Sequence, residues 1–169
     1  MALNRREVLC CNVQIGGEEE LEILASMIHV YQKPVHLTFN SLYYLPEQYP
    51  LIVQIISNCL EMGFRSYIIA DPALILYLHE QGINCEIHLS GELGEMNSGV
   101  AETFAEMKLK RIIFHRKNST ADMQAVIEAV ERNQCSKAGQ MEYEAFVLNE
   151  LCQFSGSFCN SLHCDELGH

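Results

Sequence analysis

Three cysteines and two histidines crowd into the last eighteen residues: Cys152, Cys159, His163, Cys164 and His169. The segment has neither a helical nor a strand period, and a hydrophobic core does not need soft ligands at this density. Thiolate sulfur is the natural ligand for iron–sulfur iron. Three cysteines with a histidine also form a set that zinc accepts. A bound metal or iron–sulfur cluster is therefore the first chemistry the sequence points to. Cys152, Cys159 and Cys164 are the cluster ligands in this reading, and a fourth comes from His163, His169 or a residue outside the chain. With zinc, the set is Cys152, Cys159, Cys164 and His169. A Cys–His nucleophile, Cys152 or Cys159 with His163, is the alternative use of the same groups. One activated thiolate would suffice for that, so three fit ligation better.

These residues follow a regular alternation of elements. Gly17 to Gln32 reads as a helix, with Leu21, Leu24, Ala25, Ile28 and Tyr31 on one stripe and Glu18, Glu19 and Glu20 at its positive end. Pro34 to Phe39 reads as a strand, and Leu51 to Met62 as a helix stopped by Gly63. Ser66 to Ala70 is the next strand. Asp71-Pro72 then supplies an N-cap and a first-turn proline for a helix from Ala73 to Gln81. The pattern continues with strands at Asn84–Leu89, Arg111–His115 and Met141–Val147. Helices fall at Asn97–Met107 and from Ser119 or Thr120 to about Arg132. Five strands alternating with five helices predict an α/β fold of parallel βα units. No glycine-rich phosphate loop follows any strand, as a dinucleotide-type sheet requires. The expectation is thus a partial TIM-barrel-like architecture, with residues 1–147 as a partial barrel and 148–169 as a Cys/His-rich segment.

In such a fold the C-terminal strand ends converge on one functional rim. Asn40, Asp71, His88 with Ser90, His115 with Arg116, and Glu144 fall there. His88, Arg116 and Glu144 are the catalytic candidates, with His88 and Glu144 suited to acid–base work. Each has a plainer role open to it. Asn40 would bond loop backbone and Asp71 would serve as an N-cap. His88, alternating with Ile87 and Leu89, would be a core histidine, and Arg116 and Glu144 would form one buried ion pair.

The chain has 169 residues, enough for one domain with a real core, and a net charge of −11. Such a surface repels polyanions, so nucleic acid is not an expected partner for this chain alone. The basic run Lys108, Lys110, Arg111, Arg116 and Lys117 reads as a solvated connection. No apolar run reaches the ~20 residues of a membrane span, and the N-terminus lacks a signal core. Eight cysteines without such a core imply a reducing, cytoplasmic setting. Cys59 and Cys85, inside apolar patterns, read as small buried hydrophobes.

The ordered segments Lys33-Pro-Val-His-Leu-Thr-Phe-Asn40, Ile68-Ile-Ala-Asp71-Pro72, Glu86-Ile-His88-Leu-Ser90, Lys110-Arg-Ile-Ile-Phe-His-Arg116 and Glu144-Ala-Phe146, followed by Cys152-x₆-Cys159, resemble the collagenase-like peptidase U-32 family. The resemblance implies a TIM-barrel-like fold that normally starts two strands earlier, and so either an excised or truncated segment or a short divergent relative. It implies a [4Fe–4S] cluster whose first two ligands fall on Cys152 and Cys159, and a role in oxygen-independent hydroxylation as enzyme or accessory subunit. A peptidase acting on peptides is the alternative implied by the family label. A third reading is a fragment active only in assembly, associating with itself or a partner through exposed sheet edges. A small molecule or a peptide is the expected substrate.

Overall fold

The computed structural model describes residues 17–134 and 141–148. Five α-helices and five strands alternate: α1 Glu18–Tyr31, β1 His36–Phe39, α2 Tyr49–Met62, β2 Ser66–Ile69, α3 Pro72–Glu80, β3 Glu86–Leu89, α4 Ser98–Ala105, β4 Arg111–Ile113, α5 Thr120–Gln134 and β5 Glu142–Glu144. The strands form one sheet in the order β1-β2-β3-β4-β5, and every neighbouring pair is parallel. Each crossover advances by one strand and the order never reverses. A doubly wound sheet needs such a reversal, so the arrangement is a sector of a β/α barrel.

Local chemistry explains where the elements start. Asp71 accepts a hydrogen bond from Ala73 N–H at 2.8 Å, with Pro72 opening α3. Asn97 is the N-cap of α4, accepting from Val100 N–H at 3.0 Å, rather than its first residue. Ser119 and Asp122 cap α5 reciprocally: Ser119 N–H donates to Asp122 Oδ2 at 3.0 Å, and Asp122 N–H donates to Ser119 Oγ at 3.2 Å. Helix α2 begins two residues before Leu51, because a 3-10 turn at Pro46–Gln48 feeds directly into it. The strands are shorter than the apolar runs that announced them. Pairing of β5 stops at Glu144, not Val147, and Phe146, Val147 and Leu148 stand exposed beyond it.

One side of the sheet faces the helices. Leu37, Phe39, Tyr67, Ile69, Ile87, Leu89, Ile112 and Phe114 lie there in a single core with Ile52, Ile56, Leu74, Ile75, Leu78, Phe104 and Val126. Each fully buried aliphatic side chain in this layer contributes roughly 1.5–3 kcal/mol relative to exposure. Cys59 belongs to the same core and Cys85 packs against it. Burial pushes both thiols up, Cys85 to about 11, which keeps them protonated; Cys59 is buried as the sequence predicted, whereas Cys85 is half-buried. Helix α1 differs from expectation at one position. Leu21, Leu24, Ala25 and Ile28 pack inward, but Tyr31, at the end of the helix, points to solvent. No described helix is long and apolar enough to cross a membrane.

Candidate functional site

Side chains alternate across a strand, so the residues between the core positions occupy the opposite face. The register aligns them in rows. His36, Ser66 and Glu86 form one row, and Thr38, Ile68, His88, Arg111 and Glu142 the next. The interior of a β/α barrel is usually filled with branched aliphatic residues. This face instead carries imidazoles, carboxylates and a guanidinium.

His88 lies at its centre and is fully buried. Its Nε2 donates to Glu86 Oε1 at 2.8 Å, and its Nδ1 has no hydrogen-bond partner among the described residues. Burial holds His88 below the ordinary histidine range, against the opposing pull of the Glu86 hydrogen bond. The neutral ring therefore keeps its proton on Nε2 and presents a bare lone pair at Nδ1. The ring of His36 lies against it, with centroids 4.6 Å apart, and His36 Nδ1 shares a hydrogen bond with Ser66 Oγ at 2.5 Å. Neither His36 nor Ser66 was among the site candidates read from the sequence. Their same-face positions in adjacent strands were the available signal, and only the register turns that into contact.

Arg111 anchors the other side of this face. Its Nε and Nη2 both bond Glu142 Oε2, at 3.1 and 2.7 Å, and its Nη1 bonds Glu144 Oε2 at 2.9 Å. Lys110 also reaches Glu142, at 2.9 Å. Hydrogen bonds from Lys110 and Arg111 pull the Glu142 carboxyl down to about 2. Much of the basic run is thus committed to ion pairs rather than left as a solvated connection.

The expected Arg116–Glu144 pair is corrected here. Glu144 sits beside Ile113 in register and reaches back to Arg111, whereas Arg116 lies in the turn beyond β4 and meets Glu92 at 3.5 Å. The structure therefore gives the catalytic candidates His88, Arg116 and Glu144 three different carboxylate or guanidinium partners.

The C-terminal rim is knitted loop to loop. Ser90 Oγ donates to Asn40 Oδ1 at 2.8 Å, so Asn40 bonds a side chain rather than loop backbone. Tyr49 O–H donates to Asp71 Oδ2 at 2.8 Å. Asn118 grips Met96 through both main-chain groups, at 3.3 Å to N–H and 3.0 Å to the carbonyl. Gly91 passes so close to the end of β4 that a Cβ there would lie 2.9 Å from the Phe114 carbonyl oxygen. His115, nearly fully buried, accepts from Lys117 N–H at Nδ1, and its Nε2 has no partner among the described residues. Burial lowers its pKa as well.

Cys152, Cys159, Cys164, His163 and His169 lie outside the described residues. Among the described residues no three His, Cys, Asp or Glu groups are placed to hold a metal ion.

Comparison with known proteins places these features. A sequence model of Peptidase family U32 matches residues 11–164. The tRNA hydroxylation protein P of Escherichia coli (strain K12) is 31% identical over 99 residues, 59% of this chain and 20% of that protein. Among solved structures, the fold is similar to that of the U32 peptidase Mk0906, with a TM-score of 0.64 at 14% identity, over 84% of this chain and 57% of that one. The chain thus spans a fifth of the curated relative and somewhat more than half of the solved one.

Proposed function

The chain belongs to peptidase family U32, and from that premise we propose that it is part of a protein that takes part in hydroxylation, as enzyme or accessory subunit. The observation that carries this reading is the 31% identity over 99 residues to a protein named for tRNA hydroxylation. The geometry supplies a matching element. A carboxylate-oriented imidazole with a free, buried Nδ1 can take or hold a proton at a substrate atom. Glu86 fixes its tautomer and orientation, while Arg111, Glu142 and Glu144 form a pre-set charged wall beside it.

In the finer form of the proposal the C-terminal cysteines hold a [4Fe–4S] cluster. Cys152, Cys159 and Cys164 have the right donor chemistry, and the fourth ligand is His163, His169 or a residue outside the chain. Cys59 and Cys85 are excluded as ligands by their place among the core helices and strands. A bound cluster would supply one-electron transfer. The chain's own residues would shape the pocket: His88 manages a proton, and Arg116 and Glu92 close the rim. If the substrate is RNA, its gripping surface lies elsewhere in the full protein or on a partner.

Peptide hydrolysis by His88 and Glu144 acting together fits less well, because each is engaged with a different residue. Association through the sheet edges at β1 and β5 is compatible with either chemistry, and size-exclusion chromatography reads it directly.

The test is anaerobic reconstitution with iron and sulfide, followed by metal analysis and absorbance. Iron with sulfide, abolished in Cys152→Ala and Cys159→Ala, is the expected result; stoichiometric zinc or a colourless, metal-free protein removes the cluster. The hydroxylation reading is tested separately, by mass spectrometry of RNA nucleosides from cells with and without the full-length gene. A nucleoside one oxygen lighter in the deletion supports it, and identical nucleoside profiles count against RNA as the substrate.

A further inference from the structure

A second site lies at the opposite end of the sheet, where the α1–β1 connection meets the α2–β2 turn. A cleft of about 370 Å³ opens there, within the ~300–1,000 Å³ typical of small-molecule sites. Its polar lining is one-sided. His29, Lys33 and Arg65 contribute basic groups, and among the described residues no aspartate or glutamate lines it. The chain as a whole has 22 acidic residues against 11 lysines and arginines. A cleft with three basic groups and no carboxylate is therefore a local reversal of the protein's charge.

Among the described residues neither Lys33 nor Arg65 meets a carboxylate. The ion pairs of the described residues join other groups, and Lys33 and Arg65 enter none of them. The plain alternative is that they offset the negative C-terminal ends of α1 and α2, which both finish at the cleft. Those ends are already capped by backbone. Gln32 N–H donates to the Ile28 carbonyl, and Gly63 N–H to the carbonyls of Cys59 and Leu60. Gln32 does so in the left-handed conformation, φ 51°, uncommon for a residue with a side chain. Its Nε2 ties back to the His29 carbonyl at 2.7 Å. The connection carrying Lys33 is thus fixed at both main chain and side chain, with Pro34 stiffening the next step.

The floor is apolar, made by Ile28, Val35 and Met62. At the back Ser66 lines the cleft, and its Oγ is the group that bonds His36. We infer that this cleft binds a small oxyanion carrying an apolar body, with a phosphate monoester as the chemical class. Arg65 offers a planar fork to two oxygens, and Lys33 a point charge. The cleft touches the His36–His88 face through Ser66 but shares no residue with the C-terminal cysteines, so phosphate binding and cluster loading are read by separate experiments.

The experiment is titration of the full chain with phenyl phosphate and with inorganic phosphate, followed by amide ¹H–¹⁵N shifts and calorimetry. Saturable binding of phenyl phosphate is expected, with shifts centred on Gln32, Lys33, Arg65 and Ser66. Lys33→Gln and Arg65→Gln should each weaken it by about tenfold, while Arg132→Gln, on the far end of α5, leaves it unchanged. All three side chains are exposed, so the variants are expected to fold. No saturation by either probe below about 10 mM, shifts centred elsewhere, or equal weakening by all three variants would overturn the site.

Discussion

Glu86 and His88 stand two residues apart on one strand, and the Glu86 carboxylate holds His88 Nε2 at 2.8 Å. Residues i and i+2 share a face, so this contact is built within a single strand. The imidazole is fully buried, with one nitrogen committed and the other without a partner among the described residues.

Stability should fall on mild acidification. His88, His79 and His115 all titrate below the ordinary 6.5 in the folded state, chiefly because burial disfavours the charged form. Between those lowered values and about 6.5 the unfolded chain binds more protons than the folded one, so unfolding free energy rises with pH in that window. The melting temperature should drop as pH is taken from about 7 to about 5, and His115→Gln should flatten the profile. A melting temperature unchanged across that window would sink the claim.

Arg111→Gln should release Glu142. With Lys110 and Arg111 donating, its carboxyl titrates at about 2; with Lys110 alone it should move up toward the ordinary value of 4.5. A carbonyl-detected NMR titration reads this directly. The β5 amides should also exchange faster, because Arg111 ties both Glu142 and Glu144 to β4.

Gly91→Ala should destabilise the protein by about 1–3 kcal/mol in urea unfolding. The new methyl would meet the carbonyl oxygens of Phe114 and Ile113 at 2.9 and 3.1 Å, and backbone has little room to yield. Unchanged stability would mean that the loop lifts freely from the end of β4.

Asp71 does two separable jobs. Asp71→Ala should cost about 0.5–2 kcal/mol through the lost cap of α3. Asp71→Asn keeps an oxygen for Ala73 N–H and should cost less. The Tyr49 phenol is raised first by burial and then by its bond to the Asp71 carboxylate. Both substitutions should therefore lower its pKa, as read by ultraviolet titration. A Tyr49 titration that does not move would separate the two residues.

The alternation of strands and helices was legible because each element carries its own punctuation. Asp71-Pro72, Gly63 and Ser119 are local signals, and they act at the same positions in the folded chain. The strand ends were less legible. Val147 and Phe146 continue an apolar run, but pairing depends on a neighbour, and β4 ends at Ile113 opposite Glu144. The Arg116–Glu144 expectation failed for the same reason: both residues sit at strand ends, but the register gives Glu144 to Arg111.

The sequence by itself determined the element order, the parallel β/α class, the buried character of Cys59, and the capping role of Asp71. These depend on periodicity and on neighbours within a few residues. Tertiary structure alone decided that His36 lies against His88, that Ser66 joins them, and that Lys33 and Arg65 face one cleft. His36 and Ser66 lie 30 residues apart in the chain and His88 further on still, and only parallel registration of β1, β2 and β3 brings such distant side chains to one face.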